Sequence, residues 1–272
     1  MTDRSLTDLA KPAACFAAHL PARLSVQQPA VAYAPSNIAL AKYWGKRDAV
    51  LNLPLNSSLS ISLADWGSHT RIFPAETAYD EVWLNGVSLP LGSAFASKII
   101  CFVDLYRREQ TLPLRIETDN TLPTAAGLAS SASGFAALTL ALDAAFNLKL
   151  PKSVLSMLAR FGSGSATRSL WHGFVRWDRG EKEDGSDSFA RPLMLDWPEF
   201  RIAIVPVDTG PKSRSSRDGM NHTVATSPLF KIWPAQAEAD CTAVHTALEA
   251  RDFATLGALS EANALALHAT MM

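Results

Sequence analysis

The chain has 272 residues, 48% of them hydrophobic, and 25 Lys and Arg against 26 Asp and Glu give a net charge of −1. That length suits one large domain or two ordinary ones, and the near-neutral balance argues against a nucleic-acid surface, which needs a basic face. Three scattered cysteines, odd in number, suit a reducing cytoplasm better than a disulfide framework or a metal knuckle, and no apolar run approaches the ~20 residues that span a bilayer.

Residues 1–29 do not read as a signal peptide, because Asp3, Asp8 and Lys11 interrupt them. They are expected to form a loosely attached arm with one short helix. Residues 31–35 read as an apolar strand. Next, Ser36-Asn-Ile-Ala-Leu-Ala-Lys-Tyr-Trp-Gly-Lys-Arg-Asp48 sets Lys42, Lys46 and Arg47 among Tyr43 and Trp44. Cations for charge and rings for walls suit a phosphorylated or carboxylated ligand, although a surface turn with a half-buried Trp would use the same residues. Leu59, Ile61 and Leu63 alternate with Ser60 and Ser62, the pattern of a half-buried strand. Residues 70–73 and 81–84 read as further strands, with Asn85-Gly86 as a hairpin turn. Residues 95–108 are helical, with Ile99, Phe102, Val103 and Tyr106 on one face, and 114–118 alternate as a strand.

Leu122-Pro-Thr-Ala-Ala-Gly-Leu-Ala-Ser-Ser-Ala-Ser-Gly134 then runs into 135–146, a strong helix former with no polar face. A Gly/Ser loop entering a buried helix offers free N–H groups and the positive end of a dipole to a phosphate. Ser130 and Ser131 add hydroxyls for phosphate or its magnesium ion, and Gly127 permits close approach. A Gly/Ser helix cap without a ligand fits these residues equally well. The loop is neither a Walker A loop, since no Gly-Lys-Ser/Thr follows, nor a nucleophile elbow.

Pro151 and Ser153 open a helix over 154–161. Gly162-Ser-Gly-Ser-Ala-Thr-Arg-Ser-Leu170 follows, a second anion candidate in which Arg168 can make two parallel hydrogen bonds, or else a flexible turn. Residues 173–177 read as a strand, 179–188 as a solvated charged segment, and Trp197-Pro198 as a domain boundary. A strand is expected over 200–207. Lys212-Ser-Arg-Ser-Ser-Arg-Asp-Gly-Met220 reads as a basic loop, a third anion candidate or merely solvated. Helices over 229–250 and 252–272 carry apolar stripes and must pack on something. The six histidines have no metal-like spacing.

Taken together, the motifs resemble a family. Asn37-Ile-Ala-Leu-Ala-Lys-Tyr-Trp-Gly-Lys-Arg-Asp48 with Leu53-Pro-Leu-Asn-Ser-Ser58 resembles the N-terminal signature of the diphosphomevalonate decarboxylases, in the GHMP kinase superfamily. Pro123-Thr-Ala-Ala-Gly-Leu-Ala-Ser-Ser131 resembles the family's nucleotide loop. Gly162-Ser-Gly-Ser-Ala-Thr-Arg168 resembles its substrate loop, with Thr167 where a Cys is common. Glu183–Ser188 and Ser215–Met220 match later segments in the same order.

The resemblance implies an α+β GHMP kinase fold. An N-terminal nucleotide-binding domain like the ribosomal protein S5 domain 2 would span 30–197, and a ferredoxin-like C-terminal domain, incomplete here, 198–272. It implies a carboxy-lyase that uses ATP and Mg2+ to convert mevalonate 5-diphosphate to isopentenyl diphosphate, in a cytoplasmic homodimer. By resemblance, Asn37, Tyr43, Trp44, Gly45, Lys46, Ser163, Gly164, Ser165, Ala166, Thr167, Arg168, Ser215, Ser216 and Arg217 hold the substrate, with Arg168 on its carboxylate. Pro123, Ala126, Gly127, Leu128, Ala129, Ser130 and Ser131 hold the nucleotide, Ser131 also the magnesium. Lys42, Ser131 and Arg168 are the implied catalytic set. The family's catalytic aspartate belongs to an Asp-Ala-Gly-Pro-Asn segment that would follow Met272, so the resemblance implies an incomplete chain. Asp208-Thr-Gly-Pro211 is similar but stands upstream of the Ser215 segment. A related kinase or phosphomevalonate decarboxylase, or a ligand-binding remnant, are the alternatives.

Overall fold

The computed structural model describes residues 6–121, 130–205 and 215–272, with side chains from residue 10 onward. Its centre is a seven-stranded mixed sheet in the order β6-β5-β7-β4-β8-β9, with β1 also paired to β4. β4 (Ser58–Pro74) is the longest strand. It pairs antiparallel with β1 (Ala30–Ala41), with β7 (Leu114–Asn120) along one half, and with β8 (Phe174–Trp177) along the other. The alternating runs 59–63 and 70–73, read from sequence as two strands, are therefore two halves of one. The apolar alternation lapses at Ala64-Asp65-Trp66-Gly67, where Ala64 takes φ 47° and β1 shifts register between Pro35 and Asn37. The ladder with β1 skips residues 63–66 and resumes at Gly67, where a Cβ would lie 2.1 Å from the Ala34 carbonyl oxygen and only glycine fits that approach.

β5 (Glu81–Leu84) and β6 (Val87–Leu89) form the expected hairpin, with Asn85 and Gly86 both at positive φ as a type I′ turn requires. β9 (Ala190–Pro192) edges β8, and β2 (Lys46–Asp48) pairs with β3 (Leu53–Pro54) in a separate ribbon.

Helices α2 (Ala94–Arg107), α3 (Ser130–Ala145) and α4 (Lys152–Gly162) share the main core with the sheet through Phe102, Phe135, Leu138, Leu158, Ile72 and Ile116. α3 is buried on nearly every side, as its lack of a polar face requires. A second core gathers Leu40, Leu59 and Phe174 of the sheet with Val244 and Leu248 of α6 (Trp233–Glu249) and Leu256 of α7 (Phe253–Ala269). Trp233, Ala237 and Leu267 of these two helices form a separate cluster with Phe230. A 3-10 turn (Pro228–Ile232) precedes α6, which opens with Pro234 in its first turn.

Three further expectations change. The arm is packed rather than loose: α1 (Leu6–Ala17) leads Phe16 into the main core, edge-on to Phe102, Tyr106 and Phe161 at 5.0–6.2 Å. Gln110 then grips the backbone of Leu24, accepting from its N–H at 2.7 Å and donating to its carbonyl at 3.2 Å. The basic segment before Met220 is the start of a helix, α5 (Ser216–Thr226), because the Ser215 hydroxyl accepts from the Asp218 N–H as an N-cap. Residues 200–205 are not in a strand, and the rest of that expected strand, 206–207, lies outside the described residues. Among the described residues no helix is long and apolar enough to cross a membrane.

Candidate functional site

β1 ends at Ala41, and the chain beyond it forms one wall of a cavity of about 530 Å³. Lys42, Tyr43, Trp44 and Lys46 line this wall. α4 stops at Gly162, where a Cβ would strike the Phe135 ring, and gives way to a 3-10 turn (Gly164–Arg168). Ser163, Gly164, Ser165 and Arg168 from that turn form the floor. Ser131, in the first turn of α3, and Lys98 of α2 close a third side, and Ser215, Ser216 and Arg217 at the head of α5 a fourth. Lys42, Ser131 and Arg168, implied as a catalytic set from three distant stretches, thus share one cavity.

Among the described residues five cations line it (Lys42, Lys46, Lys98, Arg168 and Arg217) and no Asp or Glu does. Arg168 is 3% exposed, and its donors go to neutral oxygens. Nε donates to Ser60 Oγ at 3.1 Å, one terminal nitrogen donates to Ser58 Oγ, and the other lies 3.4 Å from Asn37 Oδ1. Asn37 in turn donates to the Ser165 carbonyl and to Ser169 Oγ, at 3.1 and 2.7 Å, which fixes its amide. Burial pushes the guanidinium down to about 10, still charged at neutral pH. Burial, with Arg168 nearby, lowers the Lys42 ammonium; burial, with Arg217 nearby, lowers Lys98 to about 8. Arg168 is a buried charge without a carboxylate partner among the described residues, Lys98 and Arg217 stand exposed beside it, and an anionic ligand would offset their mutual repulsion.

Two donors wait in the same wall. Tyr43 Oη and Trp44 Nε1 are buried without a hydrogen-bond partner among the described residues. Burial raises the Tyr43 phenol, which keeps it a donor. The hydroxyls of Ser131, Ser163 and Ser165 form a chain with spacings of 3.4 and 3.2 Å, beside the N-terminus of α3 with its positive dipole end. Adjoining this site is a smaller cavity of about 280 Å³, walled by Leu84, Phe95, Ile99 and Phe135, that shares Lys98 and Ser131 with it and adds Ser130. Charge and hydroxyls thus gather at one end and apolar walls at the other.

Several residues implicated by the sequence lie elsewhere. Pro123, Ala126, Gly127, Leu128 and Ala129 fall outside the described residues, as does 208–211. Asn37 stands behind Arg168 rather than in the cavity lining. Gly45 packs against Phe230 and Leu55, Ala166 is buried in the main core, and Thr167 turns inward to donate to the Gly164 carbonyl at 2.7 Å; none of the three lines the cavity. Arg47 also points away, donating to the carbonyls of Arg179 and Lys182 at 3.3 and 3.0 Å. Sequence reasoning missed Asn52 and Lys98. Asn52 carries a faint signal, since Asn tolerates the left-handed backbone that it adopts here at φ 54°. Lys98 carries none, since it is one lysine beside the apolar stripe of α2.

Residues 34–190 match the family model of the diphosphomevalonate decarboxylase-like N-terminal domain, and residues 202–272 that of the mevalonate 5-diphosphate decarboxylase C-terminal domain. The chain belongs to the diphosphomevalonate decarboxylase family. It is 43% identical to a diphosphomevalonate decarboxylase of Eremothecium gossypii, over 88% of this chain and 64% of that protein. The chain therefore spans just under two thirds of that relative's length. Among solved structures, the Staphylococcus aureus mevalonate diphosphate decarboxylase superposes with a TM-score of 0.80 at 37% identity, covering 89% of this chain and 74% of that one. A structure of MDDEF in complex with MVAPP, AMPPCP and magnesium superposes with a TM-score of 0.76 at 39% identity, with the same coverage of 89% and 74%. The α+β class inferred from sequence agrees with this mixed sheet and its structural relatives.

Proposed function

We propose that this chain carries the substrate and nucleotide sites of an ATP-dependent decarboxylase that converts mevalonate 5-diphosphate to isopentenyl diphosphate. The observation that supports it is the charge of the larger cavity: among the described residues five cations and no carboxylate, beside a helix N-terminus, in a member of this decarboxylase family. The diphosphate end binds along Tyr43, Trp44 and Lys46, where two orphaned donors face it. Ser163 and Ser165 hold the middle of the substrate. Arg168 takes the carboxylate as an ion pair, which keeps it ionised until carbon dioxide leaves.

The nucleotide base enters the smaller apolar cavity, and its phosphates reach Ser130, Ser131 and the α3 N-terminus, which lies at the junction of the two. Phosphorylation of the tertiary 3-hydroxyl converts it into a leaving group. Lys42 then neutralises charge on the transferred phosphoryl group as it develops. Magnesium fits this donor set only in part. Among the described residues no cluster of three or more His, Cys, Asp or Glu could hold a metal, so Ser131 would supply a hydroxyl and the nucleotide phosphates most of the remaining ligands. When bound, the ion would offset phosphate charge.

The test supplies ATP, magnesium and mevalonate 5-diphosphate and measures phosphate and carbon dioxide together. Equal release of both supports decarboxylation. Phosphoryl transfer without carbon dioxide would make it a kinase, and tight binding without either product a ligand-binding protein.

A further inference from the structure

Lys42 is the first residue past β1, where the strand's own ladder no longer holds the chain. Side chains hold it instead. The Lys42 N–H donates to Asn263 Oδ1 at 2.8 Å, and its carbonyl accepts from Asn56 Nδ2, also at 2.8 Å. Asn263 projects from α7 and is completely buried. Its Nδ2 donates to Asp240 Oδ2 of α6 at 2.8 Å. A carboxylate can only accept, so Asp240 takes the NH2 end of the amide and leaves the oxygen for Lys42. Gln236 donates to the other Asp240 oxygen at 2.7 Å. Two residues beyond Lys42, the Trp44 carbonyl accepts from Trp233 Nε1 at 3.1 Å, and the Ser57 N–H, beside Asn56, donates to Glu238 Oε2 at 2.7 Å. The segment with the cavity's lysines and aromatics is thus tied at several points to the last two helices, which hold none of its cations.

We propose that Asn263 and Asp240 form a positioning relay that fixes the backbone of residues 42–46, and through it the grip of the cavity on the diphosphate end of its ligand. The relay rests on the reading of that cavity as a diphosphate site. Neither side chain touches the ligand. A buried N–H left without an acceptor is costly, so losing the Asn263 oxygen or tilting its amide would displace Lys42 and the residues that follow.

The decisive experiment exchanges the two groups. Asn263→Asp alone sets two carboxylates face to face, and should weaken inorganic pyrophosphate binding, measured by calorimetry, about tenfold while ATP binding is unchanged. Asp240→Asn alone should cost about threefold or less. Together they put the amide on α6 and the carboxylate on α7, restore both hydrogen bonds, and should return affinity to within about threefold of the parent. Hydrogen exchange over residues 40–46 should quicken in the single Asn263 variant and slow again in the pair. If Asn263→Asp fails to fold, Asp240→Ala takes its place and should still weaken pyrophosphate binding without affecting ATP. Unchanged affinity in Asn263→Asp, a pair as weak as the sum of its parts, or an equal loss of ATP binding overturns the relay. A parent chain that binds no pyrophosphate overturns the diphosphate reading itself, which the variants cannot do.

Discussion

The cavity has two unlike walls. The Arg168 wall is preformed: the guanidinium is fully buried, Ser58, Ser60 and Asn37 fix its orientation, and Asn37 is itself fixed by Ser165 and Ser169. The opposite wall is presented rather than built. Lys98 stands on α2, and Ser215, Ser216 and Arg217 form the head of α5, a helix with only Met220 and Thr223 buried. The first wall can select a planar carboxylate by geometry, because its donors lose little freedom on binding. The second can supply charge and closure but little geometric selection.

The largest test of that contrast is Arg168→Ala. It should lower affinity for mevalonate 5-diphosphate, and any turnover, by about a hundredfold or more, with the thermal melt still cooperative since Ser58 and Ser60 can bond to water. Arg168→Lys should recover little, because one point charge cannot replace the fork. Near-normal binding in either variant would mean that the built wall is only structural. A smaller effect on the same wall is expected from Gly164→Ala. Its Cβ would lie 2.9 Å from Tyr43 Cε1 and 3.1 Å from the Trp177 ring, so Tyr43 must move. Overpacking of this kind costs about 1–3 kcal/mol, readable in the melting temperature, and should weaken diphosphate binding in parallel.

The preformed wall was also the legible one. Gly162–Arg168 announces itself in sequence because a tight turn carrying an arginine needs its glycines and hydroxyls adjacent in the chain. The Asn37–Lys46 segment is legible for a similar reason, since its cations and rings are contiguous. The presented wall was legible only in part: Ser215, Ser216 and Arg217 stand in a motif, but Lys98 does not. Lys98 reaches the cavity only because α2 packs beside the head of α3, a tertiary fact with no local signature. Likewise, a single hydroxyl decides whether the Ser215 segment is a loop or a capped helix, and composition favours a loop. In the fold, the error over 59–73 has the same origin. Periodicity marks where a strand is half buried, but not that two stretches on either side of a bulge pair with the same neighbour.

Lys98 allows the presented wall to be tested by pH. Burial and Arg217 lower its ammonium from 10.5 to about 8 in the free protein. A bound anion favours the charged form and raises it again. Diphosphate affinity should therefore be full below pH 8 and fall as pH climbs above it, and Lys98→Met should be weaker at pH 7 and flat across the same range. Stability should run the opposite way. Below pH 8 the lysine is charged both folded and unfolded, so its burial cost is borne in full; between pH 8 and 10.5 the unfolded chain holds the extra proton and stability rises. Calorimetric titrations and melts at pH 7, 8 and 9 on parent and variant would read both slopes, and a variant that keeps the parent's pH dependence would assign it to another group.

The smallest expected effect falls on α5. The Ser215 hydroxyl accepts from the Asp218 N–H at 3.1 Å and donates to the Asp218 carboxylate at 2.6 Å, closing the first turn. Ser215→Ala removes that cap, worth about 1 kcal/mol in an exposed helix. Because α5 shares so little of the core, the loss should appear as local fraying rather than as a lower global melt, with faster hydrogen exchange over residues 215–220. Ser216 and Arg217 would be presented less often, so diphosphate affinity should fall only a few-fold. Ser215→Asn, which caps as well but brings neither a hydroxyl nor a charge, separates the two roles of the residue. If it restores protection over 215–220 while binding stays weak, the hydroxyl matters to the ligand directly. If both return, it serves only to hold the helix in place.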